Sequence, residues 1–122
     1  MANGPVVLVA EDEWFLRACI AAHLRAANWR VLETRTGEAA VSLLEAGQHI
    51  DVVFTDIRLA GKMNGWEVGE RIRRAKPEIP VIYTSGEAPQ LERAVANSLF
   101  IAKPYEPEAI VAACRSIANG RP

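Results

Sequence analysis

Apolar residues in this chain fall into short unbroken runs, separated by stretches in which they recur every three or four positions. That alternation predicts strands and amphipathic helices taken in turn. The most hydrophobic run, Asp51-Val-Val-Phe-Thr-Asp56, reads as a strand buried on both faces and closed by a carboxylate. Around it the pattern predicts strands over residues 5–10, 30–34, 80–84 and 99–102. Helices are expected over 13–27, where Leu16, Ile20 and Leu24 repeat; over 38–47, ending at Gly47; and over 66–75, ended by Pro77. A short helix over 88–97 and a last one opened by Pro107 complete the series, while 57–65 is too polar and broken to be regular. The third predicted helix carries a basic Arg71-Arg73-Arg74-Lys76 surface.

Five strands alternating with helices imply a doubly wound parallel sheet covered on both faces, a flavodoxin-like three-layer α/β sandwich. The run ending at Asp56 belongs in the middle and the charged second strand at an edge. The order 2-1-3-4-5 meets both demands and puts the topological switch between strands one and three. With 122 residues the chain is expected to be a single domain, 1–122, without an output domain. Fourteen Lys and Arg against fifteen Asp and Glu leave a net charge of −1, which gives no bulk attraction to nucleic acid or anionic membrane. Cys19 and Cys114 stand far apart on apolar helical faces and are expected to be core thiols. The N-terminal stretch is neither a signal sequence nor long enough to span a bilayer, so a cytoplasmic location is expected.

An aspartate that ends a strand is ordinarily a turn former or a helix cap. In the proposed sheet, however, the carboxyl ends of four strands open on one rim. They carry Glu11 and Asp12, then Asp56, then Thr84 or Ser85, then Lys103. Three crowded carboxylates raise one another's pKa unless a cation neutralises them, and an all-oxygen set with room for water favours Mg²⁺. Lys103 adds a point charge and Ser85 a hydroxyl suited to phosphoryl oxygens. The chemistry implied is phosphoryl transfer to or from a carboxylate.

The acidic pair Glu11-Asp12, Asp56, Ser85-Gly86 and Lys103-Pro104, in that order and placement, resemble the receiver domain of two-component response regulators. The resemblance covers nearly the whole chain. It implies a signalling domain rather than an enzyme, with self-catalysed phosphotransfer and autodephosphorylation. Asp56 would accept a phosphoryl group from the phosphohistidine of a histidine kinase or phosphotransfer protein. Asp12, Asp56 and the backbone carbonyl of Arg58 would hold Mg²⁺, Glu11 would act through a bound water, and Ser85 and Lys103 would grip the phosphoryl oxygens. Phe100 matches the family's aromatic switch.

Two departures concern signalling output. The segment from Ser85 to Lys103 is several residues shorter than the family pattern, and the 59–65 loop is about one residue longer, with Ala60 where a proline is common. Two alternatives are a pseudo-receiver interaction module and a small Mg²⁺-dependent aspartyl-phosphate phosphatase. Intact Asp12, Asp56, Ser85 and Lys103 oppose the first, and Arg58 at the position of a second acid opposes the other. Whether the chain is a stand-alone regulator, a relay intermediate or part of a hybrid kinase is left open, as is the oligomeric state, a phosphorylation-dependent dimer included. Arg58 and Glu87 are expected either to pair across the mouth of the site or to remain two solvated neighbours.

Overall fold

Each apolar run becomes a five-residue strand: Val6–Ala10 (β1), Arg30–Thr34 (β2), Val52–Asp56 (β3), Val81–Ser85 (β4) and Ser98–Ala102 (β5). The helices are Trp14–Ala26 (α1), Gly37–Glu45 (α2), Gly65–Ala75 (α3) and Pro107–Ala118 (α4). The computed structural model describes residues 4–119, so the expectation for the N-terminal stretch lies outside the described residues where it concerns 1–3. All strand pairs are parallel, in the order β2-β1-β3-β4-β5 expected from the hydrophobic pattern.

Strand alternation sorts the core into two halves. Leu8, Val53, Val81 and Tyr83 face α2 and α3 and pack with Leu44, Trp66, Val68 and Ile72. Val7, Val9, Val52, Phe54 and Ile82 face α1 and α4 and pack with Ile20, Leu24, Ile110, Cys114 and Ile117. β1, β3 and β4 are buried throughout, whereas β2 and β5 are largely half-exposed, as edge strands must be. Cys114 is a core thiol, pushed up to about 12 by burial, but Cys19 is only half-buried, its Sγ lying 3.9 Å from Nδ1 of His23. Among the described residues no helix is long and apolar enough to cross a membrane.

Local chemistry sets the helix ends. Thr36 Oγ1 accepts from Ala39 N at the start of α2, and Gly47 takes a left-handed φ of +89° beyond its end. Asn64 and Glu67 form a reciprocal capping box on α3, and Pro107 occupies the first turn of α4.

The helix expected over 88–97 does not form; that stretch holds a single 3₁₀ turn, Leu91–Arg93. Two causes are visible. The crossover between β4 and β5 is too short for two loops and a full helix. Its backbone groups also find other partners: Val95 N donates to Tyr83 Oη at 3.3 Å, and Ser98 Oγ donates to Val95 O at 2.6 Å. Arg73, on α3, donates to the carbonyls of Ala96 and Asn97 and to those of Lys76, Pro77 and Ile79. The Val95 amide is thus diverted from a helical bond, and the carbonyls of Val95, Ala96 and Asn97, which a helix ending at 97 would leave unpaired, are satisfied without one.

Candidate phosphoacceptor site

The sheet register assembles the rim. Ala10 pairs with Thr55, which sets Glu11 beside Asp56, and Asp56 pairs in turn with Thr84. Ser85 pairs with Ala102, and its carbonyl accepts from Lys103 N at 2.9 Å, which brings the lysine to the same edge. Lys103-Pro104 is a cis peptide. Oxygens of Glu11, Asp12 and Asp56 lie within 4.8 Å of one another, with Glu11 and Asp56 buried and Asp12 exposed.

Asp56 is held at both oxygens. Oδ1 accepts from Arg58 N at 3.1 Å, and Oδ2 accepts from Lys103 Nζ at 2.5 Å. Glu11 Oε2 accepts from Glu13 N at 3.1 Å, while Oε1 has only the Lys103 ammonium, 3.6 Å away and beyond hydrogen-bond reach. Burial, followed by the charge of Asp56, raises the Glu11 carboxyl to about 7, against the opposing pull of the Glu13 amide and Lys103. Burial alone would lower the Lys103 pKa, but the hydrogen bond and charge of Asp56, with Glu11, outweigh it and leave the ammonium more firmly protonated.

Three carboxylates against one ammonium, together with an orphaned buried oxygen on Glu11, suit a hard divalent cation. The Arg58 amide donates to Asp56 Oδ1, which keeps that stretch of backbone beside the carboxylate. If these acids do hold a metal, Asp12→Asn is expected to weaken Mg²⁺ binding by an order of magnitude or more. Trp14, 69% exposed and two residues from Asp12, provides the emission signal for the titration. An unchanged affinity would remove the metal site.

Two loops close over the rim. Glu87 N donates to Ser85 Oγ at 3.1 Å, and Glu87 Oε2 accepts from Arg58 Nη1 at 2.7 Å, so of the two arrangements open from the sequence the paired one is formed. Trp14 and Phe15 stand in edge-to-face contact at 5.8 Å, both exposed, on the first turn of α1. A largely apolar hollow of about 450 Å³ is lined by Leu16, also on α1, and by Gly86, Lys103, Pro104 and Tyr105. Phe100 is half-buried and stacks on Trp66, ring centroids 6.4 Å apart. Sequence reasoning passed over the exposure of Trp14 and Phe15, because the first turn of an amphipathic helix gives no sign of which way its apolar residues face. It also set Thr84 aside in favour of Ser85, although Thr84 lies directly beside Asp56 in the register.

The chain belongs to the response regulator receiver domain family, whose model matches residues 7–115. A response regulator receiver protein from Sinorhizobium medicae WSM419 superposes with a TM-score of 0.91 at 30% identity, covering 100% of both chains. The receiver domain of sensor histidine kinase PA1611 from Pseudomonas aeruginosa PAO1, whose structure has a magnesium ion coordinated in the active site cleft, matches with a TM-score of 0.83 at 26% identity. That match covers 96% of this chain and 99% of the other. The autoinducer 1 sensor kinase/phosphatase LuxN of Vibrio campbellii is 28% identical over 117 residues, 96% of this chain, which spans 14% of the kinase's length.

Proposed function

We propose that the chain is a phosphoacceptor in a two-component system, modified on Asp56 and acting as a signalling domain rather than as a turnover enzyme. The observation that carries this reading is the Asp56 carboxylate, buried between a lysine ammonium and a cluster of two further acids. A carboxylate oxygen of Asp56 attacks the phosphorus of a partner's phosphohistidine. The P–O bond forms as the P–N bond breaks, and the electron pair leaves with the imidazole nitrogen. Lys103 follows the phosphoryl oxygens, and Ser85 Oγ exchanges its contact with Glu87 N for one of them. Mg²⁺, held by Asp12, Asp56 and the Arg58 carbonyl with Glu11 acting through a water, would neutralise charge on the transferred group. The exposed Trp14-Phe15 pair and the hollow beside Lys103 give a histidine kinase or phosphotransfer protein an apolar place to rest while its imidazole reaches the rim.

The test is incubation with Mg²⁺ and acetyl phosphate, followed by intact mass. One added phosphate, absent in Asp56→Asn, is the expected result; an unmodified wild type would refute the proposal. The lifetime of the phosphate should depend on the ion pair above the site. Arg58→Ala or Glu87→Ala is expected to speed its loss several-fold, with the double variant adding little to either single change. Melting temperature should hardly move, because both side chains are mostly exposed, at 76% and 66%, and such pairs contribute about 0–1 kcal/mol. Effects that simply multiply would rule out a joint gate.

A further inference from the structure

One hydroxyl beside the acceptor has no task in the reaction just described. Ile82, Phe54, Val9, Leu99 and Ile101 all pack on the α1/α4 side of the sheet. Strand alternation therefore turns Thr84 and Asp56 to that side as well, while Glu11 and Lys103 meet Asp56 from just beyond the ends of β1 and β5. The registers Asp56 with Thr84 and Thr84 with Ile101 set Thr84 next to Asp56 with no strand between them. Thr84 is fully buried, and among the described residues its Oγ1 has no hydrogen-bond partner. Tyr105, which packs edge-to-face on Phe54 on the same side, also has a buried hydroxyl without a partner, near enough to Glu11 and Asp56 to feel their charge.

Valine has the shape of threonine and suits a buried strand as well, without the desolvation penalty of an unpaired hydroxyl. A group that is unpaired in one state and paired in another biases the protein toward the second. Phosphorylation supplies the missing partner: it adds three acceptor oxygens at Asp56 and draws the Lys103 ammonium away from Oδ2. We propose that Thr84 is a second hydroxyl of the site, idle in the resting protein and donating to the acyl phosphate once Asp56 is modified. The hydroxyl thereby favours the phosphorylated form. This inference rests on the phosphoacceptor reading.

The test compares wild type, Thr84→Val and Thr84→Ser as the full chain. Thr84→Val is expected to leave the resting melting temperature unchanged or to raise it by roughly 2–5 °C, since it removes an unpaired buried group. In the presence of Mg²⁺ it should bind beryllium trifluoride, a mimic of the acyl phosphate, about 3- to 10-fold more weakly. Its phosphate, added from acetyl phosphate, should be lost correspondingly faster. Thr84→Ser keeps the hydroxyl and should bind the mimic nearly as wild type does. Unaltered binding by Thr84→Val, or a clear fall in its resting melting temperature, would overturn the inference. A wild type that takes neither phosphate nor mimic overturns the acceptor reading together with this one. A modified wild type with an indifferent Thr84→Val overturns only the role of Thr84.

Discussion

Gly65→Ala is expected to cost roughly 3 kcal/mol of stability and to abolish phosphorylation by acetyl phosphate. A Cβ on Gly65 would lie 2.2 Å from the carbonyl oxygen of Asp56 and 2.8 Å from Cα of Ile57. Both obstacles are backbone, so no side chain can swing aside. The glycine is needed for room and not for an unusual φ: α3 begins hard against the end of β3, with Gly65 N donating to Ile57 O at 2.8 Å. Relief requires the helix to back away or the strand end to shift, and either moves the acceptor relative to Lys103. A displacement of about 1 Å is enough to cost a hundredfold in rate. Thermal melting and intact mass read the two effects. A variant that melts as wild type does and is modified at the wild-type rate would show that the junction yields more easily than its contacts suggest.

Removing the lysine should have a comparably large effect. Lys103→Met leaves the acids at 11 and 56 buried with no counter-charge, and breaking such a pair typically costs about 3–5 kcal/mol. At pH 8 without divalent metal, a fall of roughly 10 °C in melting temperature is expected. The pH dependence has a definite sign. The Glu11 carboxyl titrates at about 7 in the folded chain, above its ordinary 4.5, so its protonated form is the one that folding favours. Its stabilising contribution is full below that ordinary value and is lost as pH rises through about 7. The loss should be steeper in Lys103→Met and flattened in Glu11→Gln, and Mg²⁺ should restore part of it. Matching pH slopes for wild type and Glu11→Gln would show that the buried carboxyl is not the group responsible.

The strands and their order were legible because a fully buried strand has little choice of composition, and runs such as Val6-Val-Leu-Val-Ala10 and Val52-Val-Phe-Thr55 have no helical alternative of adequate length. Once the order is fixed, the meeting of Glu11, Asp12, Asp56, Ser85 and Lys103 at one rim follows from geometry. The failure over 88–97 has an instructive cause. Ala88, Leu91, Glu92, Arg93 and Ala94 have good helical propensity, and neither Pro89 in a first turn nor Asn97, left-handed at a φ of 58° at the far end, forbids a helix between them. Leu91, the largest apolar residue there, is exposed and buries nothing that would hold a helix to the sheet. Arg73 was misread for a related reason. Counted with Arg71, Arg74 and Lys76 as a basic face, it instead serves carbonyls at the approaches to β4 and β5, and local sequence cannot reveal that distant acceptors have been left open.

One guanidinium thus ties the last turn of α3 and the approach to β4 that directly follows it to the approach to β5, 23 residues further along the chain. The Asn97 carbonyl takes one of these bonds and also accepts from Val81 N, so the clamp reaches directly into the sheet. Lysine could not serve as a substitute, since a single ammonium has neither the span nor the fixed fork of donors. These segments should therefore open together as one subglobal unit, and their amides should exchange with solvent at a common free energy rather than in graded steps. The end of the sheet opposite the acceptor would then be the cooperative foundation against which the rim loops move.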